Sequence, residues 1–187
     1  MRLLPCAIPG CFEIENSPRM DARGSFVKTF RATTFLELGL EASFTESFYS
    51  VSMQGVLRGM HFQLPPADGA KLVSCLQGEV LDVALDLRVG SPAYGKAASF
   101  RLTAGRASSV YIPRGVAHGF YTAQGPAILV YSVSSEYDPA LDSGIRWDSF
   151  SMQWPAGNPL LSDRDGNFVG LSEFHSPFQF NPTEVGA

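Results

Sequence analysis

The residues best suited to chemistry are concentrated between Gly55 and Lys71. The sequence GVLRGMHFQLPP occupies positions 55–66, and Lys71 follows five residues later. His61, one of only three histidines, lies here with Arg58 and Lys71. A neutral imidazole moves protons near neutral pH, and neighbouring cations hold anions or stabilise negative charge that develops during a reaction. The cluster therefore predicts proton transfer on an anionic small molecule.

Composition limits the classes of protein that fit this chemistry. The chain has 187 residues, of which 45% are hydrophobic, so it can bury one sizeable core, and we expect a single domain over residues 1–187. A net charge of -4 argues against binding to nucleic acid or to a membrane surface, because such binders usually carry a basic face. An anionic ligand must then be met by local cations.

The cysteines suggest a compartment. Cys6, Cys11 and Cys75 are an odd number without paired metal spacing, and the chain shows neither a leader pattern nor a long apolar run. We therefore expect a cytoplasmic protein with reduced thiols.

The elements that must position these residues are predicted to be strands. In residues 80–88, Leu81, Val83, Leu85 and Leu87 alternate with other side chains, which is the period of a half-buried strand. Gly, Pro and polar residues separate further extended runs, which are 27–30, 72–76, 98–102, 109–112 and 128–133. Many short strands at such spacing predict a closed or sandwiched antiparallel sheet.

Two segments depart from this pattern. Residues 32–40 predict a short helix, with a threonine available as a cap before Phe35 and Gly39 as a stop. From about residue 154 the chain is rich in Pro, Gly, Asn and Asp, and we expect it to wrap the barrel as loops and short turns.

An ordered set of motifs covers nearly the whole chain. They are DARGSF at 21–26, GVLRGMHF at 55–62, GEVLDVALDLR at 78–88, GSP at 90–92, IP at 112–113, AHGF at 117–120, Tyr131, GIRW at 144–147 and LSDRD at 161–165. In order and spacing this set resembles the dTDP-4-dehydrorhamnose 3,5-epimerase family. The resemblance implies an all-β, cupin-type double-stranded β-helix (a jelly-roll barrel) with a few short helices. It also implies a homodimer whose N-terminal segment crosses to the partner, a nucleotide-linked 4-keto-6-deoxy sugar as substrate, and no cofactor.

The resemblance assigns roles in proton transfer. In a 4-keto hexose the hydrogens at C3 and C5 lie next to the carbonyl, so a base can remove either one if the enolate is stabilised. By resemblance, His61 is the general base, and Tyr131 is the acid on the opposite face. Asp165 pairs with the far ring nitrogen of His61, which fixes the tautomer. The neighbouring Asp163 is a competitor for this pairing.

Further residues are implied to contact the substrate. Lys71 and His118 face the enolate and the sugar oxygens, while Arg58 and Arg23 hold phosphate oxygens through charge-assisted hydrogen bonds. Tyr137 lies where the family stacks an aromatic ring on the nucleotide base. The remaining residues in the implied contact region are Lys28, Glu46, Phe48, Asp142 and Arg164.

Structural roles compete with these assignments. Without its motif, a histidine in a β protein is usually a hydrogen-bonded structural residue, and Tyr131 could be a core aromatic. Asp82 and Asp86 share one strand face and resemble a carboxylate pair, yet the periodicity favours a solvent-facing Asp86. His175 has no motif around it and is expected at the surface or in packing.

Departures from the family pattern leave the substrate open. The family usually carries Glu where this chain has Lys28, and a lysine can only donate to a base edge, which suggests a nucleotide other than dTDP. The family also reads Gln-x-Asn where this chain has Glu46-Ser47-Phe48. This second change leaves open which carbon is epimerised.

Three other functions are weighed against epimerisation. Many cupins hold a metal with His-x-His, but here the sequence reads His61-Phe62-Gln63, which leaves too few ligands for a first-row metal, so no metal is predicted. A 3,4-ketoisomerase on a similar barrel would need no acid opposite its base, so Tyr131 argues against it. A non-catalytic cupin that binds sugar nucleotides would leave the set of His61, Tyr131 and Asp165 unexplained.

Overall fold

The protein is built mainly from β-strands, as the alternation of apolar residues predicts. The computed structural model describes residues 1–184. Its strands are β1 (Arg2–Pro5), β2 (Phe12–Glu15), β3 (Arg19–Asp21), β4 (Gly24–Phe26), β5 (Glu46–Ser52), β6 (Leu57–Gln63), β7 (Lys71–Asp86), β8 (Ala97–Thr103), β9 (Ser108–Ile112), β10 (Val116–Val133) and β11 (Asp142–Gly144). Its helices are α1 (Ala32–Glu37) and α2 (Asp163–Gly166), with 3₁₀ turns at Ala104–Arg106, Leu171–Glu173 and Pro182–Glu184.

Two long strands belong to both layers of the barrel. β7 has 16 residues and β10 has 18, and they pair antiparallel along most of their length. The first half of β7 pairs with β9 and its second half with β8, while the first half of β10 pairs with β6 and its second half with β5. One layer is therefore β1-β2-β9-β7-β10-β5, and the facing layer is β8-β7-β10-β6-β11. This arrangement confirms the predicted jelly roll.

A glycine marks the point where the long strands change layer. The sequence predicts separate strands at 72–76 and 80–88, whereas the structure has one strand that bends at Gly78. Gly78 has a φ of 75°, and a Cβ there would lie 2.5 Å from the carbonyl oxygen of Gln124. The β7–β10 register is irregular between Thr122 and Leu129. Only a residue without a side chain allows the two backbones to approach so closely.

The core lies between the two layers and on their outer sides. The interior cluster includes Val73, Val80, Phe120 and Leu129, all buried. A second cluster forms outside β6 and β7, where Phe178 and the partly buried aromatic residues of the C-terminal segment pack. The segment after residue 154 thus covers the barrel with loops and single turns, as its composition predicts.

The first helix packs into an aromatic cluster. α1 begins at Ala32, as predicted, but ends at Glu37, and its N-cap residue Arg31 makes no capping side-chain bond, so the expected threonine cap is not used. The predicted strand at 27–30 is wrong. Phe30 instead packs edge-on against Phe35 and Phe44, at centroid distances of 4.9 and 5.1 Å, and this contact draws the segment away from the sheet. None of the helices between residues 1 and 184 has the length and apolar character needed to span a membrane.

The predicted solvent exposure of Asp86 is also wrong. Even-numbered residues in the second half of β7 point into the barrel, so the Asp86 side chain is fully buried. Its two carboxylate oxygens accept hydrogen bonds from Arg88 Nε at 2.9 Å and Arg88 Nη2 at 2.8 Å, and Ser91 Oγ donates another. Arg88 also donates to the carbonyl of Pro9. A buried carboxylate is tolerated here because it is paired and fully hydrogen-bonded.

This ion pair yields a stability prediction. Arg88→Met leaves the Asp86 carboxylate buried without its partner, so we expect a loss of about 3–5 kcal/mol in the free energy of unfolding, measured by urea denaturation. Arg101→Met is the matched control, because Arg101 pairs with Glu79 at the exposed surface, and we expect little change there. Equal effects of the two substitutions would contradict the structural role of the buried pair.

Candidate active site

A cavity of about 400 Å³ lies between the two layers at one end of the barrel. This volume is typical of small-molecule sites. Ten of the predicted site residues border it, and they are Glu46, Phe48, Arg58, His61, Lys71, His118, Tyr131, Tyr137, Asp142 and Arg164.

A register shift in β6 places Arg58 and His61 on the cavity. Residues three apart in a regular strand point to opposite faces, but the β6–β10 register changes between the pairs His118–His61 and Phe120–Arg58. Gly59 lies at this shift with a φ of 127°, and a Cβ there would come within 2.5 Å of Gly119 Cα. The glycine therefore permits the close approach that brings both side chains to one side.

His61 is hydrogen-bonded to a buried carboxylate. Its Nε2 lies 2.8 Å from Asp165 Oδ1, and Asp165 Oδ2 accepts a bond from the backbone N–H of Gly59 at 2.9 Å. The partner is thus Asp165, while Asp163 begins helix α2 two residues earlier. An Nε2–H that donates to the carboxylate leaves the lone pair on Nδ1.

The charge of Asp165 is preserved despite its burial. Burial raises the pKa of this carboxyl. The hydrogen bond and charge of His61, together with the Gly59 N–H, lower it by a larger amount, so the net pKa lies below the usual value. Asp165 therefore stays ionised near neutral pH and can stabilise an imidazolium at His61.

Tyr131 is a buried phenol in the second half of β10. Burial raises its pKa well above the usual value, so the hydroxyl stays protonated. Its oxygen lies 3.4 Å from Ser50 Oγ on the neighbouring β5. Phe48 stacks on its ring at a centroid distance of 4.8 Å. Tyr131 can therefore act as a proton donor in the cavity.

A second histidine and a lysine also line the cavity. His118 lies opposite His61 in the β6–β10 register, and its Nε2 is 2.7 Å from the buried Asp82 Oδ2. Lys71 Nζ donates to the carbonyl of His61 at 3.1 Å. Burial lowers the pKa of Lys71 to about 8, with charges of Asp142 and Asp82 opposing this shift. The ammonium is therefore the main form at neutral pH, yet it is lost in mildly alkaline solution.

Cations at the cavity rim differ in how they are engaged. The guanidinium of Arg58 donates to Ser52 Oγ at 2.9 Å and forms no ion pair within the described part of the chain. Arg164 pairs with Asp142 at 2.7 Å, and Tyr137 donates its hydroxyl to the same carboxylate at 3.1 Å. Arg58 is thus the cation best prepared to receive an anionic ligand.

Glu46 holds the loop that carries Tyr137. Its carboxylate accepts a hydrogen bond from the backbone N–H of Tyr137 at 2.8 Å. Gln63 holds the same loop by accepting from the Asp138 N–H and donating to the carbonyl of Glu136. Glu46 therefore orders the wall of the cavity as well as bordering it.

Two predicted substrate contacts do not reach this cavity. Arg23 lies in the turn between β3 and β4, exposed and bonded to Asp21, and Lys28 is exposed just after β4. Neither borders the cavity of its own chain. His175, expected at the surface or in packing, is exposed.

Some residues of the site were not predicted. Ser50 and Gln63 follow Phe48 and His61 by two positions, so the strand period alone could have placed them on the cavity. Phe168 packs edge-on against His61, with the ring centroids 5.8 Å apart, and no local sequence pattern predicts that contact. Between residues 1 and 184, no three or more His, Cys, Asp or Glu side chains are grouped so that they could hold a metal ion.

Comparisons with known proteins identify the family of this chain. The family model described as dTDP-4-dehydrorhamnose 3,5-epimerase matches residues 5–173. The chain belongs to this family.

Individual relatives are similar over most of their length. A dTDP-4-dehydrorhamnose 3-epimerase from Streptomyces niveus is 40% identical over 92% of this chain and 85% of its own. A dTDP-4-dehydrorhamnose 3,5-epimerase from Shigella flexneri is 39% identical over 89% of this chain and 94% of its own. The name of the first relative gives epimerisation at one carbon, and the name of the second gives epimerisation at two.

A solved structure extends the similarity to the fold. The crystal structure of a dTDP-6-deoxy-D-glucose-3,5-epimerase from Legionella pneumophila, in complex with dTDP-4-keto-L-rhamnose, superposes with a TM-score of 0.91. It shares 32% identity and covers 96% of this chain and 99% of its own. Together the comparisons support an epimerase, which is an isomerase, over the ketoisomerase and over the non-catalytic binding protein.

Proposed function

We propose that this protein epimerises a nucleotide-diphosphate 4-keto-6-deoxyhexose at C3, C5 or both, by proton transfer through an enolate and without a cofactor. The supporting observation is that His61 on β6 and Tyr131 on β10 belong to different layers and border one cavity. A base and an acid so arranged can act on opposite faces of a sugar ring. One domain over residues 1–187, working in the cytoplasm with its three free thiols, would carry the activity.

The first step removes a proton beside the ketone. Nδ1 of His61 takes the proton from C3 or C5, and the two electrons of the C–H bond form the enolate. The imidazolium that results is stabilised by Asp165, whose two oxygens are fixed by Nε2 of His61 and the Gly59 N–H. Asp165 thus holds the ring and stabilises its charged form without itself accepting the proton.

The enolate needs a positive charge close to its oxygen. Lys71 borders the cavity beside His61 and is held by the His61 carbonyl, so its ammonium can donate to the developing oxyanion. His118, oriented by Asp82, offers a second polar group. These two residues lower the energy of the charged intermediate.

The second step returns a proton from the other face. The Tyr131 hydroxyl donates to the enolate carbon, the C–H bond forms with inverted configuration, and the ketone is restored. The tyrosinate and the imidazolium are then reset by exchange with solvent. Because both protons exchange, a turnover in deuterated water leaves deuterium at each carbon that reacts.

The rest of the substrate can be held at the rim. Arg58 has donors available for phosphate oxygens, and Tyr137 presents an exposed ring for stacking on a base. The names of the relatives point to dTDP as the nucleotide. Lys28 can only donate to the edge of a base, so the identity of the base is a separate question. Assays should therefore compare dTDP- and CDP-linked substrates.

Deuterium incorporation tests the proposal. With a dTDP-4-keto-6-deoxyhexose in deuterated water, we expect wash-in with inversion at C3, C5 or both. His61→Asn should lower wash-in by about 10²–10⁴-fold, and Tyr131→Phe should lower inversion by a similar factor while wash-in with retention persists. NMR of the recovered sugar measures both quantities.

Two matched variants serve as controls for this experiment. His175→Asn and Tyr121→Phe change the same residue types away from the cavity and should keep wild-type rates. Wild-type protein that incorporates no deuterium with either nucleotide would remove the proposed function. An active His61→Asn variant would remove the assignment of the base.

The pKa of Lys71 predicts a pH profile. The ammonium is present below about pH 8 and is lost above it, so kcat/KM, which reports the free enzyme, should fall about tenfold per pH unit above that value. Lys71→Arg keeps its charge and should move the fall to higher pH. Lys71→Met should lack this fall and be about 10²–10³-fold slower at neutral pH. If kcat/KM still falls at alkaline pH in Lys71→Met, the fall belongs to another group. Lys96→Met removes an exposed lysine and is the control, which should keep the wild-type profile.

We further propose a homodimer in which the β3–β4 hairpin of one copy completes the cavity of the other. Arg19, Arg23 and Lys28 are exposed cations on or next to this hairpin, and Met20 and Phe26 expose apolar surface beside them. In a single chain, Arg58 is the rim cation without an ion pair among the described residues. A diphosphate would gain a second cation from the partner.

Complementation between two impaired variants, assayed with substrate well below the KM, tests this arrangement. Sedimentation equilibrium should give a dimer, and Arg23→Ala should raise the KM at least several-fold. When His61→Asn and Arg23→Ala subunits are unfolded and refolded together, one cavity in each mixed dimer contains both native residues, so activity should reappear. A monomer, or mixtures no more active than the separate variants, would contradict the shared site.

A further inference from the structure

Phe48 and Tyr131 form a stacked pair in the cavity. They are directly opposite each other in the β5–β10 register. Their rings lie 4.8 Å apart with an interplanar angle of 17°. On another side, the ring of His118 meets Tyr131 edge-on at 5.9 Å and 69°. The phenol is therefore bounded by one ring against its face and by a second at its edge.

Hydrogen bonding alone does not fix this phenol. The single side-chain partner found for its hydroxyl within the described residues is Ser50 Oγ, at 3.4 Å. That distance is long, because O–H···O bonds usually measure about 2.7–2.8 Å. The orientation of Tyr131 must then be set mainly by ring contacts, and offset stacking is a favourable aromatic geometry.

Phe48 is also half-exposed on the wall of the cavity. Its ring has no hydrogen-bonding group, and 46% of its surface is exposed. A large apolar side chain left half-exposed on a cavity wall has no evident role in the core. Its contact with the proposed acid supplies one.

We propose that Phe48 is a positioning residue that holds the Tyr131 ring in the orientation needed to return a proton. This inference rests on the proposed function. The enolate has two outcomes: the His61 imidazolium can give back a proton with retention, or Tyr131 can deliver one with inversion. Phe48 contacts the second donor, so it controls the division between these outcomes and leaves proton abstraction unchanged.

The chain offers a counterpart on the other side of the reaction. Phe168 packs edge-on against His61 at 5.8 Å with an angle of 76°. Loss of this ring should disturb the base and spare the acid. Phe48 and Phe168 can therefore be compared as the same substitution with opposite expected effects.

The experiment measures wash-in with retention and wash-in with inversion in deuterated water. Displacement of a reacting group by about 1 Å can cost roughly 10²-fold, so Phe48→Leu should lower inversion about tenfold or more while total wash-in stays near wild type. Phe168→Leu should lower both together at an unchanged ratio. Phe48→Tyr keeps an aromatic ring and should keep the wild-type ratio. Tyr49→Leu, on the outward face of β5, is the control and should change neither quantity.

The outcomes separate this inference from the proposed function. If wild type shows no wash-in, the proposed function itself fails. If wild type epimerises but Phe48→Leu keeps its ratio of inversion to retention, Phe48 does not position the acid. A fall of both quantities by the same factor in Phe48→Leu, or a changed ratio in Phe168→Leu, also contradicts the inference, since a general loss of structure would act on both steps.

Discussion

The site depends on the antiparallel pairing of β7 and β10, the two strands that run through both layers. Because β10 changes layer near Thr122, its first half carries His118 beside β6 and its second half carries Tyr131 beside β5. His61 on β6 and the phenol of Tyr131 on β10 are thereby held in different layers around one cavity. Gly78 permits the bend, since any side chain there would meet the backbone of β10. A sugar ring between the layers can then meet donors on two faces.

Pairing of the buried carboxylates determines which charges remain for a substrate. Asp165 is bound to His61, Asp82 to His118 and Asp86 to Arg88, each at 2.9 Å or less. These contacts offset the cost of burying three anions in the interior of the protein. Two of the three also orient an imidazole. Negative charge is thus used for positioning, while the proposed mechanism leaves Arg58 for phosphate and Lys71 for the enolate.

Much of the fold and the site could be predicted because both depend on local periodicity and ordered motifs. The errors arise where tertiary contacts override a local pattern. The alternation of the strand predicts Asp86 in solvent, because it cannot reveal that Arg88 neutralises this carboxylate inside the barrel. Arg58 and His61 share a side only through the register shift at Gly59, which a regular alternation cannot show. The contact of Phe168 with His61 joins segments about a hundred residues apart, so no local signal encodes it.

The position of β5 explains how such a site could change its stereochemical outcome without losing its chemistry. Among the described strands, β5 pairs only with β10, and its residues that line the cavity are Glu46, Phe48 and Ser50. These side chains touch the proposed acid and the loop of Tyr137, but neither His61 nor Asp165 depends on them for a hydrogen bond. A substitution on β5 can therefore change how the phenol or the sugar is held while the pair of His61 and Asp165 stays intact. Glu46 and Phe48, the residues that leave the reacting carbon open, both lie on this strand, where a change in outcome disturbs the rest of the barrel least.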